Sequence, residues 1–242
     1  MNLYFGLNNL EVAVMKSKIL WIVSTIPLLV TLVILRFLPD KLPAHYDING
    51  NIDRWGSKYE ELLFPITIIV VSLFWQILIN WYKKKSMKAT DEKEAVGALN
   101  NAKLLYVVAV CMSLMHGVMH FFFMYSAVIE ASGDMKKSAF DFNSVITVIM
   151  GIFMIVIGNY IPKSRTNSMV GVRTPHTMKS EYVWKKANRF AGILFIMAGA
   201  FSVIAGLLYE GTIVIAILLA LVIVVGIAST VYAACVKEPE KD

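Results

Sequence analysis

Six long apolar segments constrain the fold of this 242-residue chain more than any other feature. A hydrocarbon core about 30 Å thick needs roughly 20 apolar residues per helix, and each segment approaches that length. Only 17% of the residues are charged, which excludes an ordinary water-soluble domain, and alternating ten-residue strands are absent. The sequence therefore predicts an all-α integral membrane protein with six transmembrane helices, at 19–38, 62–81, 104–129, 145–161, 190–209 and 212–236.

Basic residues are distributed unevenly among the connecting segments. If the amino terminus lies in the cytoplasm, most of the 23 Lys and Arg residues fall in cytoplasmic segments, chiefly 83–103 and 162–189. Short cytoplasmic loops carry such an excess, so we predict that both termini are cytoplasmic and that the loop after the first helix is external. The net charge of +6 then indicates orientation and contact with anionic lipids, and we expect no direct binding of nucleic acid.

The lengths of the connections predict how the spans are grouped. Only Glu210 and Gly211 separate the last two spans, so these two helices form an antiparallel hairpin. The fourth span leads directly into a basic loop that joins it to this hairpin. The predicted divisions are an amino-terminal extension (1–15), a two-helix domain (16–82) with an outer loop (39–61), a linker loop and third helix (83–142), a module of helices four to six (143–236) with a cytoplasmic loop (162–189), and a tail (237–242).

The outer loop carries signals for an ordered cap. Pro39 and Pro43 interrupt a continuous helix, because proline lacks a backbone donor. The pair Asn49-Gly50 is typical of a tight turn, since both residues tolerate positive φ. We therefore expect a small, ordered, hairpin-like segment on the outer face.

Three residues of the outer loop are of types that can bind metal, namely His45, Asp47 and Asp53. One imidazole and two carboxylates at irregular spacing are a weak signal, because structural metal sites usually present paired Cys or His at short spacing. We interpret these side chains as polar turn and capping residues and predict no metal site.

The basic loop 162–189 combines cations with residues that break helices. Arg165 and Arg173 have planar guanidinium groups that suit phosphate or carboxylate, and Asn167 supplies a neutral hydrogen-bonding group. One hypothesis is that the loop docks an acidic cytoplasmic partner or senses a change in the helix bundle. The alternative is that its cations hold anionic lipid headgroups and fix the topology. The lysines favour the lipid alternative, whereas both readings stay open for the two arginines, Asn167 and Gly171.

A short helix is predicted inside the same loop. Thr177 or Ser180 can cap its amino terminus, and Glu181 lies in its first turn. The helix then runs through Trp184 to Arg189 and ends before the fifth span.

Two histidines lie four residues apart in the third span, His116 and His120, so they share one helix face. Ionisable groups at membrane depth often mark functional sites because they are costly to bury in lipid. A neutral histidine is the least costly of them, and the predicted span contains no Asp or Glu to complete a relay. A structural pair is therefore favoured over a proton or metal site.

Two groups of residues resemble known families. The run Leu38-Pro39, Leu42-Pro43, His45, Asn49-Gly50 and Asp53 resembles a small domain of unknown function that often precedes SdpI-type modules in bacterial membrane proteins. The central loop resembles the SdpI family through Gly158-Asn159, Pro162-Lys163, Arg165, Asn167, Gly171, Arg173-Thr174-Pro175, Thr177, Ser180-Glu181, Trp184, Asn188 and Gly192. His176 departs from this pattern, in which an aromatic residue more often follows Arg-Thr-Pro.

The resemblance implies a membrane immunity protein of a Gram-positive bacterium, giving resistance to a secreted antimicrobial peptide toxin of the SdpC type. In the best-known system the immunity protein also captures a cytoplasmic transcriptional repressor, so toxin and repressor are the expected partners beside anionic lipids. The candidate binding residues are Arg165, Asn167, Gly171, Arg173, Thr174, Pro175 and Trp184 in the central loop, and His45, Asn49 and Gly50 in the outer loop.

The alternative function is a multi-pass transporter or channel for a peptide or lipid, with His116 and His120 as its polar core. An enzyme is not expected, because no nucleophile, metal set or carboxylate pair is arranged near the membrane surface, and no catalytic residue is proposed. A glycine-rich phosphate loop is also missing, so we expect no cofactor.

Overall fold

The computed structural model describes residues 2–164, 166–167 and 169–238, with side chains described for these residues except 2–17 and 93. Short 3-10 turns lie at Leu35–Phe37, Lys58–Leu62 and Ile161–Lys163. The helices are α1 (Asn2–Ile34), α2 (Leu63–Lys88), α3 (Glu92–Ser132), α4 (Phe142–Tyr160), α5 (Pro175–Lys179), α6 (Glu181–Leu208) and α7 (Thr212–Cys235), and the strands are β1 (Lys41–Tyr46) and β2 (Ile52–Ser57).

Six helices among the described residues are long and apolar enough to cross a membrane, namely α1 to α4, α6 and α7. The six predicted spans are thereby confirmed as six helices of suitable length and composition. Several helices begin before the predicted spans, most clearly α1 at Asn2, α3 at Glu92 and α6 at Glu181. Apolar periodicity marks only the part of a helix that suits lipid, whereas Glu, Lys and Ala extend a helix beyond it.

The short helix predicted within the basic loop is corrected by the structure. Its residues form the first turns of α6, which continues without interruption into the apolar span. Ser180 caps α6, since its hydroxyl oxygen accepts a hydrogen bond from the backbone N–H of Val183 (3.3 Å). The loop is therefore shorter than the predicted 162–189, because residues 181–189 belong to α6.

The chain divides into two compact units, each discontinuous in sequence. Unit 1 contains Met1–Trp81 and Leu105–Phe140, and unit 2 contains Tyr82–Leu104 and Asp141–Asp242. Helices α2 and α3 each contribute to both units.

Unit 1 includes a β-hairpin, so the prediction of an all-α chain is corrected at this point. Strands β1 and β2 pair in antiparallel register from Lys41 opposite Ser57 to Tyr46 opposite Ile52, with irregular register around His45. The turn forms as the Asn49-Gly50 pair predicts, with Gly50 at φ +77°.

The segment between α3 and α4 extends this small sheet. The backbone N–H of Ile52 donates to Lys136 O (3.0 Å), and that of Ser138 donates to Gly50 O (2.8 Å). Buried apolar side chains from the start of the hairpin and from α3 pack beneath it, namely Leu38, Leu42, Met124 and Ala127. The hairpin and the 136–138 segment therefore form one ordered cap on unit 1, which we call the cap.

Unit 2 is held together by close packing of α4 against α6. A Cβ atom on Gly199 would lie 2.5 Å from the carbonyl oxygen of Gly151, and one on Gly192 would lie 2.6 Å from that of Gly158. Only glycine allows two helix backbones to approach so closely. Helix α7 joins this pair through a buried cluster of Met154, Ala198, Leu218 and Val225.

Candidate functional site

The loop between α4 and α6 in unit 2 is ordered by its own polar side chains. Thr174 caps α5: its hydroxyl oxygen accepts from the Thr177 N–H (3.1 Å), and the Thr174 N–H donates to the Thr177 hydroxyl oxygen (2.9 Å). Thr177 is fully buried, and its hydroxyl donates to Val172 O (2.8 Å). Pro175 follows the cap at the first position of α5, where its missing N–H costs nothing.

Trp184 and Asn188 on the first turns of α6 hold the middle of the loop. The Trp184 indole N–H donates to Ser164 O (2.9 Å), and the Asn188 side-chain oxygen accepts from the Val172 N–H (2.7 Å). Both side chains are almost completely buried. Gly171 lies directly against them at φ +114°, where a Cβ atom would collide with Asn188. The Gly171 position therefore requires glycine on both conformational and steric grounds.

Asn167 closes a local turn. Its side-chain oxygen accepts from the N–H groups of Met169 and Val170 (2.8 Å each), and its amide donates to Val170 O (3.0 Å). All of these partners belong to the loop backbone, and Asn167 is buried. Asn167 therefore shapes the loop through its hydrogen bonds to the loop backbone.

Arg173 is the charged residue among the described candidates of this loop, and its side chain is exposed. It forms no ion pair with any residue that the structure describes. Lys179, at the end of α5, is a second exposed cation. Arg165 lies outside the described residues. Among the described candidates of the loop, Arg173 is thus the cation that a partner can reach. The other described candidates build the loop that presents it, namely Asn167, Gly171, Thr174, Pro175 and Trp184.

His176, which departs from the family pattern, has a defined role in unit 2. Its Nε2 atom lies 2.8 Å from Val236 O, just beyond the end of α7. Because a carbonyl oxygen is an acceptor only, Nε2 must carry the proton in this contact. His176 therefore ties α5 to the carboxyl-terminal end of α7.

The candidate residues of the cap in unit 1 lie at its surface. His45 and Asn49 are exposed, and His45 Nδ1 lies 2.6 Å from Asp53 Oδ1. Gly50 is half-buried against Ser138. Asp47 is used within the turn, where its carboxylate accepts from the N–H groups of Asn49 and Asn51 (2.8 Å each).

Hydrogen bonds from Asn51 hold the pKa of the Asp47 carboxyl below its ordinary value. Asp47 therefore behaves as the turn residue that the sequence predicts. Among the residues that the structure describes, three or more His, Cys, Asp or Glu side chains nowhere gather closely enough to hold a metal ion.

Glu130 is a buried acidic residue of unit 1 that no pattern in the sequence singled out. Its side chain is fully buried near the end of α3 and accepts hydrogen bonds from the hydroxyls of Tyr46 (2.6 Å) and Ser126 (2.5 Å) and from the Ala139 N–H (2.8 Å). Burial, with the adjacent Glu130 carboxyl, raises the pKa of the Tyr46 phenol. Glu130 thus connects α3 to both parts of the cap.

The two histidines of α3 have separate contacts. His120 is buried, with Nε2 2.7 Å from the Thr31 hydroxyl of α1, and its ring stacks on Phe64. His116 Nδ1 lies 2.7 Å from Met112 O in its own helix. These contacts support a structural role for His120. The contact of His116 with Met112 uses only Nδ1 of its ring.

Comparison with known proteins finds two family models that match parts of the chain. Residues 163–233 match the SdpI/YfhL protein family, and residues 22–70 match a domain of unknown function, DUF1648. The resemblance to the SdpI family is confirmed. The SdpI segment begins at Lys163 and contains the candidate loop, α5 and α6, whereas the DUF1648 segment contains the hairpin of the cap.

A curated relative extends the similarity along the chain. The chain is 26% identical over 219 residues to the Immunity protein SdpI of Bacillus subtilis (strain 168), which covers 89% of this chain and 92% of that protein. No solved structure matches. The similarity therefore extends over nearly the whole length of both chains and includes the SdpI segment and the cap.

Proposed function

We propose that the chain is an integral membrane immunity protein that protects a Gram-positive cell against a secreted peptide toxin of the SdpC type. The observation that carries the proposal is the similarity to Immunity protein SdpI over 92% of that protein's length. A match of this extent includes the cap as well as the SdpI segment. We regard the protein as a binding protein and assign it no catalytic residue.

The proposed orientation places the cap outside the cell and the α4–α6 loop in the cytoplasm. It is supported by the excess of Lys and Arg in segments that would be cytoplasmic. A toxin arriving from outside then meets the cap first, where His45 and Asn49 are exposed beside the Gly50 turn.

The cytoplasmic loop supplies the second proposed contact. Arg173 presents a guanidinium group, which suits paired hydrogen bonds to a carboxylate or phosphate. Its position is fixed by the buried Trp184 and Asn188 beneath the loop. We propose that Arg173 binds an acidic surface of a cytoplasmic repressor, while the surrounding lysines contact anionic lipids.

Survival of a toxin-sensitive strain tests the immunity function. Cells that express this chain are challenged with an SdpC-type peptide, and protein level in the membrane fraction is measured in parallel. We expect protection from the wild-type chain. Normal expression without protection would contradict the proposal.

Arg173→Ala and Lys179→Ala form a matched pair, because both remove an exposed cation from the same loop. We expect Arg173→Ala to abolish co-fractionation of the repressor with membranes, whereas Lys179→Ala retains it. Loss in both variants would indicate a general effect of charge and would reject a specific role for Arg173.

A further inference from the structure

A cavity of about 340 Å³ lies inside unit 1, between α2 and α3. It lies beside the first turns of α2: Val71, the lining residue of α2 farthest from the start of that helix, is about 12 Å from it at 1.5 Å per residue. Most of its wall is apolar. The residues that matter for its chemistry are Phe64, Thr67 and Val71 of α2, and Met112, Ser113 and His116 of α3.

Every hydrogen that the polar groups of this cavity can donate already has an acceptor. The Thr67 hydroxyl donates to Leu63 O (2.8 Å), and the Ser113 hydroxyl donates to Ala109 O (2.9 Å). His116 Nδ1 lies 2.7 Å from Met112 O, so Nδ1 carries the proton of the neutral ring. What remains for a ligand is acceptor capacity, namely the lone pair of His116 Nε2 and lone pairs of the hydroxyl oxygens. The cavity therefore selects a ligand that brings a hydrogen-bond donor.

The size and walls of the cavity limit what that ligand is. Ligand sites usually span about 300–1,000 Å³, so this volume suits one ring system and not a folded peptide segment. Phe64 contributes an aromatic ring to the wall, and the thioether of Met112 adds a polarisable contact for another ring. A lipid acyl chain would fill the space but has no donor for Nε2.

The depth of the cavity in the membrane further limits which ligand it can bind. The cavity lies beside the first two turns of α2, within about 12 Å of the end that adjoins the cap. Indole rings concentrate at this level, because tryptophan combines an apolar body with one polar N–H. Indole is thus the side chain whose size, donor and preferred depth all match the cavity.

We propose that this cavity binds the indole ring of a tryptophan presented by a membrane-bound peptide, with the indole N–H donating to His116 Nε2. The proposal rests on the proposed function, since it identifies part of the peptide that an immunity protein would recognise. It places recognition in the helices of unit 1, below the cap.

Binding of free indole to the full chain in detergent micelles tests the cavity without any toxin. The probe is a fluorinated indole observed by fluorine NMR, and benzofuran is the competitor with the same shape but a ring oxygen in place of N–H. We expect saturable indole binding and about tenfold weaker competition by benzofuran, the effect of losing one buried hydrogen bond. Equal competition by benzofuran would overturn the proposal and indicate a general apolar site.

Two neighbouring valines provide a matched pair of variants. Val71 lines the cavity, whereas Val70 is exposed on the outer surface of α2. We expect Val71→Phe to weaken indole binding at least about tenfold, because its ring fills the space, and Val70→Phe to bind as the wild type does. Thermal unfolding shows whether both variants are folded. Unchanged binding in folded Val71→Phe would overturn the proposal.

The acceptor is tested separately at His116. His116→Gln retains a side-chain acceptor and is expected to bind indole more tightly than His116→Leu, with little difference between the two for benzofuran. An equal effect on both probes would overturn the role of Nε2.

The survival assay separates this proposal from the immunity function. Indole binding by a chain that does not protect cells would support the cavity and reject immunity. Protection by a chain that does not bind indole would reject the cavity alone.

Discussion

Glu130 is a residue whose environment departs from what its sequence position predicts. The apolar pattern ends the third span at 129, so it predicts an acid at the membrane surface. Helix α3 instead continues to Ser132, and the cap folds over Glu130 and brings the Tyr46 hydroxyl to its carboxyl group across 84 positions in the chain. A contact of this separation leaves no local periodicity in the sequence, which is why the residue was missed.

Replacing Glu130 with glutamine is expected to destabilise unit 1. Both carboxyl oxygens accept hydrogen bonds, so the amide of Gln must place its NH₂ against a donor on one side. A buried donor left without an acceptor costs about 1–3 kcal/mol, and Glu130→Gln should lower the free energy of unfolding by that amount. Thermal unfolding of the purified chain in detergent measures the effect.

Glu210→Gln is the matched control, because Glu210 is exposed in the turn between α6 and α7. The same chemical change there should leave the unfolding temperature nearly unchanged. If the two variants unfold at the same temperature, the hydrogen bonds to Glu130 do not contribute to stability.

Gly171→Ala is expected to disorder the loop that presents Arg173. The added Cβ atom meets Asn188 and Trp184, and φ of +114° is strained for any other residue. We expect faster tryptic cleavage at Arg173 in Gly171→Ala than in the wild type. Gly97→Ala is the control, since no neighbouring atom lies within 4 Å of a Cβ added at Gly97. Equal cleavage in all three proteins would show that Gly171 does not define the loop.

At the scale of elements, the sequence predicted the turns and helix ends that depend on residues close together in the chain. The turn at Asn49-Gly50 and the capping of the α6 amino terminus by Ser180 both follow from local chemistry, and both are present. The inward roles of Trp184 and Asn188 could not be predicted, because their acceptors and donors lie 16 to 20 positions away in a loop without periodicity. The predicted binding residues of the loop therefore included both residues that build the loop and the exposed Arg173.

The packing of α4 against α6 gives a prediction for an element. Three small residues at four-residue spacing on α6, Ala198, Ser202 and Gly206, are all buried. The closest approach nevertheless lies at Gly199, whose added Cβ atom would lie 2.5 Å from Gly151 O. Gly199→Ala must push the helices apart and should cost about 1–3 kcal/mol in the free energy of unfolding.

Gly226→Ala is the control for this interface. It lies within α7 with open space around the added Cβ atom, and alanine favours a helix more than glycine does. Denaturation in detergent should show Gly199→Ala less stable and Gly226→Ala at least as stable as the wild type. Equal stability of the two variants would mean that α4 and α6 do not need close contact.

At the scale of the whole molecule, composition predicted six spans but not how they are grouped. The predicted divisions follow the order of the sequence, whereas the compact units are discontinuous, with α2 and α3 each shared between them. Hydropathy identifies segments that enter a membrane, but contacts between distant helices leave no mark in it. The predicted domain limits and the orientation remain predictions.

Orientation is tested by labelling single cysteines in intact cells. Cys111 and Cys235 are first replaced by serine, and a cysteine is then introduced at Asn49 in the cap or at Lys179 at the end of α5, both exposed positions. If the Lys and Arg distribution sets the topology, a membrane-impermeant maleimide should label Asn49→Cys in intact cells and Lys179→Cys only after lysis. The reverse pattern would place the Arg173 loop outside the cell, where it could not bind a cytoplasmic repressor. Because the proposed toxin would act from outside and the proposed repressor from inside the cell, this result decides which surface each of them could reach.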